Sequence, residues 1–148
     1  MKTTIACLVS SMLLVIVSAA NAQEFIGILS NNPYLKDSIS NPFGAGNKYN
    51  PKSINNPYGI YGSKYSNKSA TNPYATDAPK LYDTNGNYKG KLSANKYDPE
   101  SISNPYGGYG SKYSLDSINN SYGAGNPFKS DNPQNPFGTG LLIFDSDN

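Results

Sequence analysis

Asn-Pro-aromatic-Gly motifs recur along this chain at intervals too short to leave room for a long helix. Asn41-Pro-Phe-Gly44, Asn56-Pro-Tyr-Gly59, Asn104-Pro-Tyr-Gly107 and Asn135-Pro-Phe-Gly138 are four of them. Proline presets φ near −65° for the second position of a turn, asparagine bonds its own backbone two residues on, and glycine tolerates positive φ. The residue ahead of each proline is pushed out of the helical region. Beyond the first 22 residues no apolar pattern of period 3.6 is present.

The motifs sit in a nested repeat. The short unit reads Ser-Ile-x-Asn-Pro-aromatic-Gly, often followed by Ser-Lys-Tyr. Pro42, Pro57 and Pro73 are spaced by 15 and 16 residues; Pro105, Ser121 (in place of Pro) and Pro136 by 16 and 15. These units belong to two longer copies. Phe25-Ile-Gly-Ile-Leu-Ser30 matches Tyr88-Lys-Gly-Lys-Leu-Ser93, Asp37-Ser-Ile-Ser-Asn-Pro-Phe-Gly44 matches Glu100-Ser-Ile-Ser-Asn-Pro-Tyr-Gly107, and Leu81-Tyr-Asp83 matches Ile143-Phe-Asp145, at an offset of 62 to 64. The organisation expected is residues 1–22 as a targeting segment, 23–84 as a first half and 85–148 as a second.

Four short strands are expected near the ends of the halves: Phe25–Leu29, Lys80–Asp83, Tyr88–Leu92 and Leu141–Asp145. Asn85-Gly86 between the middle two predicts a hairpin closed by a type I′ turn. The duplication makes the first and last strands equivalent to the hairpin's arms, so a small sheet with pseudo-two-fold symmetry would pair them. The fold class expected is a mostly irregular, turn-rich repeat with little β structure, and its only helix in the targeting segment. One unit alone buries too little to offset its ordering entropy, so units must share apolar faces. Low hydrophobicity points the other way, towards partial disorder around a hairpin. The departures at Ser121 (for Pro) and Ala75 (for Gly) should loosen their turns.

Lys2, the apolar run Ile5–Val17 and Ala20-Asn21-Ala22 have the form of a cleavable signal peptide, with cleavage expected between Ala22 and Gln23. The run is shorter than the roughly 20 residues a bilayer core needs. Nothing after it reads as a membrane span. A secreted or periplasmic location follows.

Residues 23–148 contain no Cys, Met, His, Trp or Arg, and their eleven lysines face ten acidic residues, a net charge of 11 − 10 = +1. Nucleophilic catalysis needs a base beside the nucleophile. Ser63-Lys64 and Ser111-Lys112 are adjacent residues of a turn repeat, and the carboxylate pairs Asp98/Glu100 and Asp145/Asp147 lie in turn-rich or terminal segments with little to raise a pKa. No catalytic residue is assigned, and the chain is read as non-enzymatic. The Asp83–Asn87 segment opens like a calcium loop, but the sixth and twelfth positions are Tyr88 and Ala94, where glycine and glutamate belong. No cofactor or metal is expected. With no basic surplus to neutralise phosphates, nucleic acid is not an expected partner.

The aromatic repeat remains. Tyr58, Tyr61 and Tyr65 recur as Tyr106, Tyr109 and Tyr113. These rings are expected to fill a core shared between repeats; the alternative makes the six a binding face, since Tyr, Ser, Gly and Asn also build adaptable surfaces. The Ser-Ile-Asn-Asn-Pro-Tyr-Gly and Tyr-Gly-Ser-Lys-Tyr-Ser wording, with Tyr-Lys-Gly-Lys-Leu between, resembles small exported bacterial proteins carrying Asn-Pro-Tyr-Gly repeats. That resemblance implies export and a repeat architecture, and no activity. The functional expectation is an exported structural or binding module of the envelope or extracellular space, with carbohydrate or protein as partner. The alternatives are a carbohydrate- or protein-binding module using a Tyr face, and a Tyr-rich cross-linked matrix or coat protein.

Overall fold

A computed structural model describes residues 23–146. The expected targeting segment, with Ala22 and the expected helix, lies outside them, as does Asp147. The fold is mostly irregular and turn-rich, with one small antiparallel sheet and no helix among the described residues, hence none long and apolar enough to cross a membrane. The strands are β1 (Phe25–Leu29), β2 (Lys80–Tyr82), β3 (Tyr88–Lys91) and β4 (Leu141–Phe144), in the order β1-β4-β2-β3. β2, β3 and β4 each stop one residue earlier than the sequence pattern suggests.

The hairpin between β2 and β3 differs from the expected two-residue turn. The N–H of Gly86 donates to Asp83 O (3.0 Å), and the N–H of Asp83 donates to Asn87 O (3.0 Å). The loop therefore has three residues, Thr84 to Gly86, with Gly86 at φ +84°. A turn followed by a left-handed glycine is the usual three-residue solution. Asp83 selects it: Oδ1 accepts the N–H groups of Asn85 (2.9 Å) and Asn87 (2.8 Å), and Oδ2 accepts the Asn87 side-chain amide (3.0 Å).

Pairing follows the internal match between halves. β2 and β4 are antiparallel with Lys80 opposite Phe144, Leu81 opposite Ile143 and Tyr82 opposite Leu142. Under the 62-residue offset Leu81 matches Ile143, and the two flanking pairs exchange, as a two-fold axis between β2 and β4 requires. The outer pairs obey the same relation: Phe25 faces Phe144, and Tyr88 faces Tyr82. Two parallel bridges, Ile28 to Ser38 and Lys91 to Ser101, are also equivalent. On one face of the sheet the rings of Phe25, Phe144, Tyr82 and Tyr88 form a ladder with centroids 5.5–5.7 Å apart.

The segments between strands are chains of turns with a period of three residues. In the second coil, N–H to O=C bonds join Asn50 to Asn47, Ser53 to Asn50, Asn56 to Ser53 and Gly59 to Asn56, at 3.0–3.2 Å. Every third residue points inward; the two between point out, except that the residue after the buried serine packs on the apolar core. Three such coils separate β1 from β2, and three separate β3 from β4. Each coil carries the same inward pair. Ser38, Ser53, Ser69, Ser101 and Ser117, with Asn132 in the sixth, are buried and accept the N–H two residues on. Three residues later Asn41, Asn56, Asn72, Asn104, Asn120 and Asn135, buried or half-buried, also accept the N–H two residues on. Each also donates its side-chain amide to the carbonyl six residues back, at 3.0–3.1 Å. At Gly44 the turn curls so tightly that a Cβ would lie 2.0 Å from Lys36 O, whereas the third coil is shaped to hold Ala75 at the matching place.

Asparagine makes these bonds, and the proline after it only preorganises the turn. Ser121 and Ala75 accordingly do not loosen their turns. Asn120 keeps its bonds to Tyr122 (3.0 Å) and Ser114 (3.0 Å), and the N–H of Ala75 still donates to Asn72 O (3.1 Å). Further side chains tie one coil to the last: the Asn55 amide donates to Ile39 O (2.7 Å) and Gly46 O (3.1 Å), and its counterpart Asn119 to Ile102 O (3.1 Å) and Gly110 O (2.9 Å).

The apolar core is small. Ile26, Ile54, Tyr61, Leu81, Leu141 and Ile143 are buried, with Leu29, Ile39, Ala70, Leu92, Ile102 and Ile118 packed against them. Ile39, Ile54, Ala70, Ile102 and Ile118 each follow the buried serine of a coil, so five coils lay one apolar residue on the cluster. Most of the remaining interior is polar and hydrogen-bonded. This is how a chain of low hydrophobicity fills its inside: a polar group satisfied by backbone avoids the penalty of an unpaired one.

Candidate functional site

The rings expected in the core are mostly outside. Tyr58, Tyr65, Tyr106 and Tyr113 are each more than nine-tenths exposed. The cause is the three-residue period. In Asn-Pro-Tyr or Ser-Lys-Tyr the first side chain turns inward to accept the third residue's N–H, which leaves the second and third on the outer corner. All positions of this kind behave alike. Tyr34, Phe43, Tyr49, Tyr58, Tyr65 and Tyr74 in the first half, and Tyr97, Tyr106, Tyr113, Tyr122, Phe128 and Phe137 in the second, are 78–95% exposed. The sequence pattern carried the signal, since each ring lies two residues after Asn or Ser.

Tyr61 and Tyr109 do not join this array. Both follow Gly-x, outside the Asn-x-aromatic pattern, and both turn in. The Tyr109 ring stands edge-on to Tyr88, centroids 5.5 Å apart, over Gly90, where a Cβ would come within 2.7 Å of Tyr109 Cγ. Burial, then the negative charges of Asp116 and Glu100, raise the Tyr109 pKa.

Tyr61 is 3% exposed and anchors a cluster that no local motif announces. Its hydroxyl donates to Asp145 Oδ2 (2.8 Å) and lies 3.3 Å from Glu24 Oε2. Lys68 Nζ is 3.3 Å from Asp145 Oδ2, and Lys52 pairs with Glu24. Together they line a cavity of about 670 Å³ with Tyr58 and Ile60 at its side. Burial first, then the bond to and charge of Asp145, then Glu24, push the Tyr61 pKa far above the ordinary tyrosine value. The cluster joins the start of β1, two coils and the end of β4, so its evident role is to clamp the two ends of the described chain.

The other candidate acids are engaged. Lys91 bridges Asp98 (3.2 Å) and Glu100 (3.3 Å). Burial opposes the Lys91 charge, but these two carboxylates outweigh it and raise its pKa. Burial likewise opposes the Asp83 charge, yet the Asn87 amide, the N–H groups of Asn87 and Asn85, and Lys89 hold its pKa below the ordinary value. No group of three or more potential metal ligands is present among the described residues.

Two clefts open on the coils. Lys48, Tyr49, Asn56, Pro57 and Tyr58 line one of about 430 Å³, in which Lys48 Nζ stands 5.2 Å from the centre of the Tyr49 ring. A groove of about 420 Å³ crosses the coils of the second half between Lys96 and Lys112. Comparison with protein-family models, curated proteins and solved structures finds no match.

Proposed function

We propose that this chain is an exported, non-enzymatic binding module of the cell envelope or extracellular space, which holds carbohydrate on its displayed aromatic rings. The observation that carries the reading is the exposure of twelve rings at equivalent turn corners. Large apolar side chains on a monomer's surface are usually scattered; here position two after Asn or Ser places one on every second or third turn. A tyrosine supplies broad amphipathic contact at little entropic cost, and hydrogen-bonded turns hold each ring's backbone before any ligand arrives. The absence of His and Cys from residues 23–148, and the engagement of Asp83, Asp98, Glu100 and Asp145 in structural bonds, support the non-enzymatic part. The signal-like first 22 residues and the resemblance to exported Asn-Pro-Tyr-Gly proteins support export.

Glycan-array binding by residues 23–148, compared with a Tyr58→Ala/Tyr106→Ala variant, tests the reading. Binding that falls in the variant supports it; a wild-type protein that holds no glycan sinks it. Mass spectrometry of secreted material should find a chain starting at Gln23, and an intact Met1 would refute export with cleavage.

A second reading is a tyrosine-cross-linked matrix protein. Nine exposed phenols and no Cys, Met, Trp or His in residues 23–148 favour it. A peroxidase with hydrogen peroxide would take one hydrogen atom from each of two phenols, join their rings at carbons ortho to the hydroxyls and release two waters. Dityrosine fluorescence in native material supports this reading, and its absence removes it.

A further inference from the structure

The groove across the second half is built from equivalent positions of successive coils. Lys96 and Lys112, Ser103 and Asn119, and Pro105 and Ser121 are three pairs of its lining residues, each pair sixteen residues apart in sequence. No carboxylate lines it, and neither lysine forms an ion pair among the described residues. Four of its lining residues, Lys96, Pro105, Lys112 and Ser121, are each followed directly by a ring more than nine-tenths exposed: Tyr97, Tyr106, Tyr113 and Tyr122. The groove lining thus combines cations, hydroxyls and amides at positions that repeat from coil to coil, each repeat flanked in sequence by an exposed ring.

We infer that this groove binds a linear acidic polysaccharide, a polyuronate chain lying across the coils with its carboxylates on Lys96 and Lys112. The inference rests on the carbohydrate reading above and adds the site and the ligand's charge. A lining that repeats at the coil spacing matches a ligand that itself repeats. Charge complementarity selects an acid: two cations with no internal counter-ion leave the groove locally positive, although residues 23–148 carry only +1. The hydroxyls and amides of the lining suit sugar hydroxyls, and the exposed rings next to it in sequence offer faces to the C–H faces of pyranose rings. A nucleic acid offers denser charge, but two lysines neutralise few phosphates.

The test is affinity electrophoresis of residues 23–148 through gels containing polygalacturonate or a neutral β-glucan, at about 0.01 M and about 1 M salt. The variants are Lys96→Gln/Lys112→Gln, Tyr106→Ala/Tyr113→Ala and, as a control outside the groove, Lys64→Gln. All these side chains are exposed, and an amide correlation spectrum checks that each variant is folded. Retardation by polygalacturonate is expected at low salt. It should weaken about fivefold to tenfold in the double-lysine variant, as two exposed charge contacts allow, and stay unchanged in Lys64→Gln. Wild-type binding by the double-lysine variant overturns the inference. So does equal, salt-sensitive binding of single-stranded DNA of the same charge, which would make the groove a general anion surface. Neutral-glucan binding that is lost only in the tyrosine variant leaves the carbohydrate reading standing and removes this one. No binding to either polysaccharide removes both.

Discussion

Leu81 and Ile143 face each other on neighbouring central strands, both fully buried, where the two halves of the chain meet. Each is the other's counterpart in the internal match, so the core is built around a contact between equivalent residues. Leu81→Ala should destabilise by about 2–5 kcal/mol through lost burial and the cavity left behind. The exposed Leu115→Ala should stay within about 0.5 kcal/mol. Urea unfolding followed by circular dichroism measures both; similar midpoints for the two would show that the sheet does not organise the fold.

The buried asparagines hold the coils. Asn56→Ala removes the acceptor for the N–H of Tyr58 (2.9 Å) and the donor to Asn50 O (3.0 Å). Two backbone groups lose their partners, at about 1–3 kcal/mol. Asn56→Ser should recover part of the loss, because serine supplies the acceptor at the matching inward positions. Equal denaturation midpoints for the Ala and Ser variants would contradict the role assigned to that acceptor.

Two glycines should respond with opposite signs. A Cβ at Gly44 would overlap the carbonyl of Lys36, so Gly44→Ala forces the coil open and destabilises by several kcal/mol, of order 1–3 or more. At Gly108 a Cβ meets nothing within 4 Å. There alanine should be neutral or stabilise by about 0.4–1 kcal/mol, by restricting the unfolded chain. Differential scanning calorimetry on the two variants reads the contrast directly.

The buried ionisable groups set the pH limits of stability. The Tyr61 pKa is raised above the ordinary 10.0, so its contribution is complete below pH 10 and disappears as pH rises beyond it towards the folded-state value. Asp83 is depressed below 3.8, so its contribution is present above that pH and is lost as pH falls through the folded-state value. Tyr61→Phe should be less stable at neutral pH and decline less steeply above pH 10. Asp83→Asn should flatten the acid limb. Chemical denaturation across pH checks both, and unchanged limbs in the variants would contradict the assignment.

Nitration separates the two kinds of tyrosine. Tetranitromethane attacks an accessible phenolate, so Tyr58, Tyr65, Tyr106 and Tyr113 should be modified while Tyr61 and Tyr88, whose pKa values are raised by burial and neighbouring carboxylates, are spared. Peptide mass spectrometry locates the adducts. Early nitration of Tyr61 would mean that the clamp on Asp145 is open in solution.

Local chemistry in the sequence was enough for the turns, the absence of helix among the described residues, the four strands to within a residue and the match between halves. Turn formation depends on neighbours: an asparagine caps its own backbone and a proline restricts its own φ whatever lies elsewhere in the chain. The strand order β1-β4-β2-β3 was legible only as far as the duplication implied a two-fold relation. Which way the rings face was misread, because aromatic content suggested burial; the geometry of successive three-residue turns sends the third residue outward and gives the interior to Ser and Asn. The hairpin loop was misread at Asn85-Gly86 because the carboxylate of Asp83, just before it, captures two N–H groups and lengthens the turn. Only the tertiary structure joined Glu24, Lys52, Tyr61, Lys68 and Asp145, and only it aligned Lys96 with Lys112 along one groove. Those contacts form between residues far apart in the chain, so their positions depend on how the coils stack on the sheet, and no short stretch of sequence contains that information.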